Sequence, residues 1–315
     1  MVENADKPKK QALNRRRLLL GAAAATAVSV TPQLLSSKTA HEGNDQSFTE
    51  RFEEWEPIGL GDGRTARIMG VAHHPNAITK NHDVFLDRIR KSDLVIIEGT
   101  INERTVRAAH TIAQGEQPAD KMSGFSVFYA VITGLALREG KRVFVIDPDY
   151  TKYSLADSVM DTYGMYTILL GEISKKDPVA GASAIHATSG LKSILENEAR
   201  RHSDALRNQI SQFKSKDIVR IAWDFADWRD VRVSQAIREF AQLSNGAFPA
   251  KATAQIFRGS LHGPGLHHYL KAPVEASAKR LTYPHWEIMQ QLFGEGTTNS
   301  RDIIREITLE GIKGV

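Results

Sequence analysis

The sequence predicts an α/β protein with a central, mainly parallel β-sheet, flanking helices and a helical insertion. Short apolar runs of strand length recur along the chain, and segments with helical spacing of apolar residues separate most of them. The clearest run, Leu94–Ile97, is continuously apolar and mostly β-branched, which is typical of a strand buried on both faces. Strands that alternate with helices in this way predict parallel pairing. The four runs are 66–71, 94–97, 143–146 and 252–257.

The composition is that of a folded protein with a large core. The chain has 315 residues, of which 41% are hydrophobic and 25% are charged, and these values are ordinary for a globular protein. One α/β domain of roughly 250 residues fits this length, and so do two smaller domains. There is no cysteine, which excludes a disulfide framework and a thiolate metal site.

Residues 1–40 have the pattern of an export signal. Three arginines, Arg15–Arg17, precede leucines and an Ala-rich apolar run that ends near Val30. A basic start, an apolar run of about 13 residues and a polar tail form a signal segment that is short for a membrane span. The arginines with leucines after them resemble a twin-arginine signal. We therefore expect passage through the twin-arginine export machinery to the periplasm or another extracytoplasmic space. A disordered basic N-terminus is the alternative.

Two consequences of this segment concern partners. An uncleaved leader would tether the protein to the membrane, and the sequence leaves cleavage open. The leader also carries the basic charge, because residues 1–40 hold seven Lys/Arg and two acids, a net of +5, within a whole-chain charge of +4. The remainder is therefore near −1, which argues against a nucleic-acid partner.

The other elements follow from the spacing of apolar residues. After a linker over 41–63, an α/β domain is predicted over 64–315, with helices at about 82–91, 101–114, 125–138, 224–243, 283–294 and 300–313. The apolar helix 125–138 spans only about 14 residues and so indicates a buried core helix rather than a membrane span. Residues 150–216 read as mostly helical and become rich in charge from Glu196, which indicates a helical insertion.

Polar residues follow three of the predicted strands. His73 and Glu98 come after the first two strands, and His262 comes after the strand 252–257. Both histidines close a Gly-x-x-His pattern, starting at Gly70 and Gly259. Ligands bind at the carboxyl ends of parallel strands, so we expect the three side chains to converge there. A carboxylate directly after four apolar residues is costly unless a metal, a proton or an arginine neutralises it.

These motifs occur in a recognisable order, which resembles the TraB/GumN/PrgY family. That family includes the Tiki proteases and is more distantly related to the erythromycin-esterase and ChaN-like fold. The resemblance covers roughly 64–148 and 217–271. The sequence departs from the family at Gly99, where a large apolar residue is usual, and adds His267 and His268. The matching segments are MGVAHHP, SDLVIIEGT, WRDVRVSQAI and IFRGSLHGPGLHHYL.

The resemblance implies an exported metal-dependent hydrolase that acts on peptide or amide bonds of a peptide or small-molecule substrate. His73, Glu98 and His262 would hold a divalent metal, and two imidazoles with a carboxylate suit Mn²⁺, Co²⁺, Zn²⁺ or Fe²⁺. Arg229, in the segment WRDVRVSQAI, would hold a carboxylate or a developing oxyanion. If Glu98 is not a ligand, it becomes the general base.

Other interpretations of the same residues stay open. A non-catalytic protein of ChaN-like type would bind haem or a metal through the histidines alone, and an inactive family member is a further alternative. Hydrolysis requires Glu98 and Arg229, whereas haem ligation needs an imidazole and an apolar slot. Each histidine is also compatible with a structural hydrogen bond, and Arg229 with an ion pair to Glu98. Asp147 and Asp149 are expected to cap a turn or helix.

Overall fold

The computed structural model describes ten segments of the chain, and the predicted leader lies outside them. His73, His74, Asp147 and Asp149 also lie outside the described residues. For Glu98 the backbone is described and the side chain is not. The described segments are 52–72, 75–98, 103–116, 124–146, 155–156, 159–160, 162–163, 178–243, 246–294 and 303–314.

Eight strands form one sheet in the order β1-β3-β6-β4-β5-β7-β8, and β2 also pairs with β3. The four central strands, β3, β6, β4 and β5, are parallel to one another. Antiparallel strands lie outside them, so the predicted α/β class with a parallel central sheet is confirmed. The strands are β1 Phe52–Glu54, β2 Ile58–Gly61, β3 Arg64–Val71, β4 Leu94–Glu98, β5 Arg142–Ile146, β6 Thr253–Gly259, β7 Ile304–Thr308 and β8 Gly311–Gly314.

The last parallel strand in the chain lies in the middle of the sheet. β6 pairs with β3 on one side, where Val71 is opposite Gly259, and with β4 on the other, where Ile97 is opposite Phe257. The carboxyl ends of β3, β6 and β4 are therefore adjacent. β5 continues the same parallel register, with Glu98 opposite Ile146.

Helices occupy most of the segments between the strands. The predicted helix 82–91 begins earlier than expected and is kinked at Asn81, whose φ of −111° and ψ of 15° are not helical. The apolar helix predicted at 125–138 is present, and it buries Phe128 and Ile132. The described helices are α1 Pro75–Arg90, α2 Glu103–Ala113, α3 Gly124–Arg138, α4 Pro178–His202, α5 Asp204–Ser211, α6 Ser215–Leu243, α7 Gly263–Lys271, α8 Ala276–Arg280 and α9 Trp286–Phe293. Within the described residues, none of them has both the length and the apolarity that a membrane crossing requires.

Each face of the sheet carries its own hydrophobic core. On one face, Phe144 and Ile256 pack with Ile237 and Phe240 of α6 and with Leu266 of α7. On the other face, Val95 and Phe257 belong to a second cluster. That second cluster also contains Phe85 of α1 and Phe128 and Ile132 of α3. Two covered faces explain why the central strands read as continuous apolar runs.

The chain divides into two compact units. The sheet unit takes in the described residues up to Ile146, then 227–280 and 303–314. The helical unit takes in the described residues of 155–226 and 281–294. It has an aromatic interior in which Phe225 and Phe293 lie 4.4 Å apart between ring centroids. The predicted insertion over 150–216 is thus part of a larger unit that also contains α9.

Two sequence-based predictions are wrong. The linker expected over 41–63 contains β1 and β2 in its described part, so the sheet begins before residue 64. The helix expected over 300–313 is instead the hairpin β7–β8 in its described part. Ile304 and Ile307 are spaced three apart, as on a helix, but in a strand this spacing puts them on opposite faces. Each is buried in a different core, and the strand therefore buries both.

The contact between α2 and α3 depends on a glycine. A methyl group on Gly134 would lie 2.7 Å from the carbonyl oxygen of Ala109 and from Cβ of Ile112. We expect Gly134→Ala to lower the free energy of unfolding by about 1–3 kcal/mol, because the helices must move apart. Gly190 lies in α4 and has open space around it. Gly190→Ala should instead raise stability by about 0.5–1 kcal/mol. Urea unfolding of both variants checks this, and equal effects would contradict the tight crossing.

Candidate functional site

The carboxyl edge of the parallel strands carries the described part of the predicted site. His262 is the last residue of a 3₁₀ turn, Ser260–His262, between β6 and α7. Glu98 is the last residue of β4, and its backbone lies on the neighbouring strand. Position 73 follows β3 by two residues, outside the described chain. Arg229 lies on α6.

His262 forms a buried polar cluster with two residues. Its Nδ1 lies 2.8 Å from Oδ1 of Asp230 on α6. The same oxygen accepts a hydrogen bond from Nη2 of Arg258 on β6 at 2.5 Å. The side chains of Arg258, Asp230 and His262 are 0%, 8% and 10% exposed. A carboxylate this deeply buried requires a countercharge, and Arg258 supplies it.

Local structure explains how Asp230 and Arg258 meet. Val233 and Ile237 of α6 are buried against the sheet. Asp230 precedes Val233 by three residues and therefore lies on the same side of the helix, nearer the carboxyl edge. On β6, Arg258 follows Ile256 by two residues and shares its face. The pattern that buries Ile256 and Val233 thus brings a guanidinium and a carboxylate together at the end of the core.

The Asp230–Arg258 pair determines which nitrogen of His262 carries the proton. An ionised carboxylate only accepts hydrogen bonds, so the Nδ1 of His262 must donate. In a neutral imidazole the lone pair is then on Nε2. This is the tautomer found when a carboxylate orients a histidine that ligates a metal through its other nitrogen. The same tautomer also suits a general base.

The start of α7 approaches Asp230 closely. A methyl group on Gly265 would lie 1.9 Å from Oδ2 of Asp230, so a side chain at this position would displace the carboxylate. Asp230 is therefore held at the N-terminal turn of α7, where the helix dipole favours a negative charge. Pro264 at the second position of the helix suits this turn, because the first-turn N–H groups have no intrahelical acceptor.

A second carboxylate contact joins α6 and α7 about one helical turn away. The hydroxyl of Tyr269 donates to Oδ1 of Asp227 at 2.5 Å, and Nζ of Lys279 lies 3.0 Å from Oδ2 of Asp227. Lys279 also lies over the Tyr269 ring. Burial raises the pKa of the Tyr269 hydroxyl far above its usual range, and the negative charge of Asp227 raises this pKa further.

The other predicted residues with described side chains lie on α6 and α7 and differ in exposure. Arg229 is adjacent to Asp230 in the chain and is half-buried, with its Nε shielded from solvent. His267 is half-buried, and its pKa is lowered by burial and then by the positive charge of Lys271. His268 is exposed. In the part of the chain that the structure describes, no three His, Asp, Glu or Cys side chains form a group able to hold a metal. Of the three predicted ligands, His262 alone has its side chain described.

No protein-family model, curated protein or solved structure matches the chain. The family resemblance in the motifs around His73, Glu98 and His262 therefore stays a prediction. The cluster at the carboxyl edge has to be interpreted from its own chemistry.

The sequence predicts no role for Asp230, Arg258, Asp227 or Tyr269. Two signals are nevertheless present. Arg258 directly follows the apolar run 252–257, and if the strand continues, it shares a face with Ile256. Asp230 precedes Val233, an apolar position of α6, by about one helical turn. Neither signal says which oppositely charged residue is the partner, because α6 and β6 meet only in the tertiary fold.

Asp230→Ala should be strongly destabilising. The change removes the carboxylate that neutralises buried Arg258, and breaking a buried ion pair from one side costs about 3–5 kcal/mol. Asp230→Leu combined with Arg258→Met should recover much of this loss, since no buried charge then remains. The control is Asp87→Ala, which removes an exposed carboxylate that pairs with Arg88 and Lys91. Chemical denaturation of the three variants and of the parent measures the free energy of unfolding of each. A double variant as unstable as Asp230→Ala would contradict this account of the cluster.

Tyr269 should make the protein sensitive to alkali. Its pKa is raised in the folded state, whereas in the unfolded chain it ionises near pH 10. Its contribution to stability is therefore complete below about pH 10 and falls as the pH rises further. We expect the free energy of unfolding of the parent to decline more steeply above that pH than that of Tyr269→Phe. Parallel slopes in the two denaturation series would show that Tyr269 ionises normally.

Proposed function

We propose that this protein is an exported, metal-dependent hydrolase that cleaves peptide or amide bonds, with His73, Glu98 and His262 as metal ligands. The observation that supports this most is the 2.8 Å contact between Nδ1 of His262 and the carboxylate of Asp230. A histidine whose Nδ1–H is held by a buried carboxylate presents Nε2 as a donor atom, which is the usual arrangement around a ligating imidazole.

The sheet topology supports the same ligand set. β3, β6 and β4 are neighbours and run parallel. β4 ends at Glu98, His262 follows the end of β6 by three residues, and residue 73 follows the end of β3 by two residues in the sequence. The β4–β6 pairing reaches Ile97 opposite Phe257, and each of these residues directly precedes a charged residue, Glu98 in β4 and Arg258 in β6. Open α/β sheets bind their ligands at this edge.

The chemistry of the donor set fits a first-row divalent metal. Two imidazoles and one carboxylate suit Mn²⁺, Co²⁺, Zn²⁺ or Fe²⁺ and leave a coordination position for water. Such an ion, when bound, lowers the pKa of its water and polarises a carbonyl group. Haem ligation through His262 would need neither the carboxylate of Glu98 nor the guanidinium of Arg229, so we place it second.

The protein's own groups have defined tasks in this proposal. Asp230 holds His262 in one tautomer and one ring orientation, and Arg258 supplies the countercharge that the buried carboxylate of Asp230 requires. Arg229, which precedes Asp230 on α6, would bind a substrate carboxylate or the oxyanion that develops during hydrolysis. If two histidines suffice as ligands, Glu98 acts as the general base that removes a proton from the attacking water.

Export is the part of the proposal that rests on residues 1–40. The segment from Arg15 to Val30 has the charge and apolar pattern of a twin-arginine signal. Twin-arginine export carries folded proteins, so a site that loads its metal in the cytoplasm would reach the periplasm intact. A leader that is not cleaved would keep the enzyme at the membrane surface.

The decisive test is metal content in the purified full chain. We expect about one equivalent of a first-row metal in the parent, and its loss from His73→Gln and His262→Gln while circular dichroism shows that both remain folded. The matched control is His268→Gln, which removes an exposed histidine from α7 and should leave the metal in place. If the parent takes up no metal after incubation with Mn²⁺, Co²⁺, Zn²⁺ or Fe²⁺, the metallohydrolase proposal is wrong, and haem absorbance is the next measurement.

A peptidase assay of the metal-loaded protein tests the catalytic part. Glu98→Gln should lower the rate of peptide cleavage by about 100-fold or more, since the carboxylate serves as a ligand or as the base. Arg229→Gln should weaken substrate binding or the chemical step without releasing the metal. A metal-loaded parent that cleaves no peptide from a broad mixture would favour the binding protein over the enzyme.

A further inference from the structure

A tryptophan from the predicted linker contacts β3 and the first residue of α7, next to the two Gly-x-x-His motifs. Trp55 lies between β1 and β2, and its backbone N–H donates to the carbonyl oxygen of Ile68 on β3 at 3.2 Å. Its partly buried ring packs against the core that α6 and α7 cover. The ring reaches the carboxyl edge of the sheet, where β3 and β6 end.

Two glycines make room for this ring. A methyl group on Gly263 would lie 1.9 Å from Cη2 of Trp55, and one on Gly70 would lie 2.8 Å from the same atom. Gly263 directly follows His262, and Gly70 opens the motif that ends at His73. The methyl group on Gly70 would also lie 2.9 Å from Cα of Ser260. The ring therefore fills the space above both glycines.

The glycine at 263 is required by packing and not by backbone conformation. Gly263 has φ −54° and ψ −49°, values that any L-residue adopts in a helix. The obstacle to a larger residue is the aromatic ring of Trp55. Gly70 follows Ile68 by two residues in β3, so both lie on the same face of the sheet. Because Gly70 has no side chain, it leaves a gap on that face. Trp55 occupies that gap.

We propose that Trp55 is a positioning residue that fixes the turn bearing His262 against the end of β3. This inference rests on the proposed function, because it treats His262 as a ligand of the proposed metal site. Trp55 contacts the turn at Gly263, and Asp230 contacts it at His262. The turn that bears His262 is thus held by an indole ring and by a buried carboxylate.

The geometry predicts that a larger residue at position 263 is tolerated when the residue at position 55 is made smaller. Gly263→Ala forces the ring away from the turn, because ordinary carbon–carbon contact needs about 3.5–4.0 Å. Trp55→Leu leaves the turn without its support. Combining the two changes gives the new methyl group space next to a smaller side chain. We expect each single variant to weaken Zn²⁺ binding by about 10-fold or more, as outer-shell changes do, and the double variant to bind more tightly than Gly263→Ala.

The test uses the full chain, labelled with ¹⁵N-histidine, without metal and then titrated with Zn²⁺. The His262 ring signal is identified by its disappearance in His262→Gln. In the parent it should show a proton on Nδ1, the nitrogen that faces Asp230. Gly263→Ala should shift or broaden this signal, and Trp55→Leu with Gly263→Ala should restore it towards the parent. Thermal unfolding is recorded for every variant, so that a change in the His262 signal is compared at known stability.

Gly59→Ala is the matched control, because Gly59 of β2 has open space around its Cα. It should change neither the His262 signal nor Zn²⁺ affinity. If Trp55→Leu does not fold, Trp55→Phe keeps an aromatic ring of smaller reach and should give an intermediate shift. An unchanged His262 signal and unchanged Zn²⁺ affinity in Gly263→Ala would overturn the role of Trp55. Ring signals that respond as expected in a parent that binds no metal would support the positioning role and reject the metal site.

Discussion

One buried carboxylate organises the described part of the candidate site. Asp230 accepts from Arg258 and from Nδ1 of His262 through the same oxygen, and the start of α7 closes over its other oxygen at Gly265. Burial makes each of these groups dependent on the others, because a charge in the interior is tolerated only next to its partner. A strand, a helix and a turn that are distant in the chain are thereby tied to one point. Any change in the position of α6 is transmitted directly to the imidazole of His262.

Because of this dependence, the residues that orient His262 are different from the groups that would contact a ligand. Arg258 is too deeply buried to meet a substrate, and its task is to hold the carboxylate of Asp230 in place. Asp230 in turn accepts a hydrogen bond from Nδ1 of His262 and thereby sets the tautomer of that ring. The group that could touch a ligand is the far nitrogen of that ring. Arg229, next to Asp230 in the chain, is half-buried. Asp230 and Arg258 thus support His262 from the fold's interior.

The sequence predicted the sheet well and the cluster poorly. The runs Leu94–Ile97 and Val143–Ile146 are apolar at every position, which only a strand covered on both faces explains, and both are central parallel strands. The hairpin at the C-terminus was missed because Ile304 and Ile307 are spaced as on a helix, although they are buried on opposite faces of the sheet. Asp230 and Arg258 could not be paired from the sequence, since their contact depends on where β6 is inserted. His262 was found because its motif follows a strand, and that signal is local.

The position of β6 also has a consequence for the order of events in folding. Thr65 of β3 pairs with Thr253 of β6, and β4 pairs with β6 on its other side. Until the ribosome has made residue 259, β3 and β4 therefore lack the strand that separates them. Contacts between such distant residues slow the search for the native topology, and uncovered strand edges are exposed meanwhile to pairing with other chains. A nascent chain of this protein should therefore need protection by a chaperone until β6 emerges, longer than a protein whose strands pair in the order of synthesis.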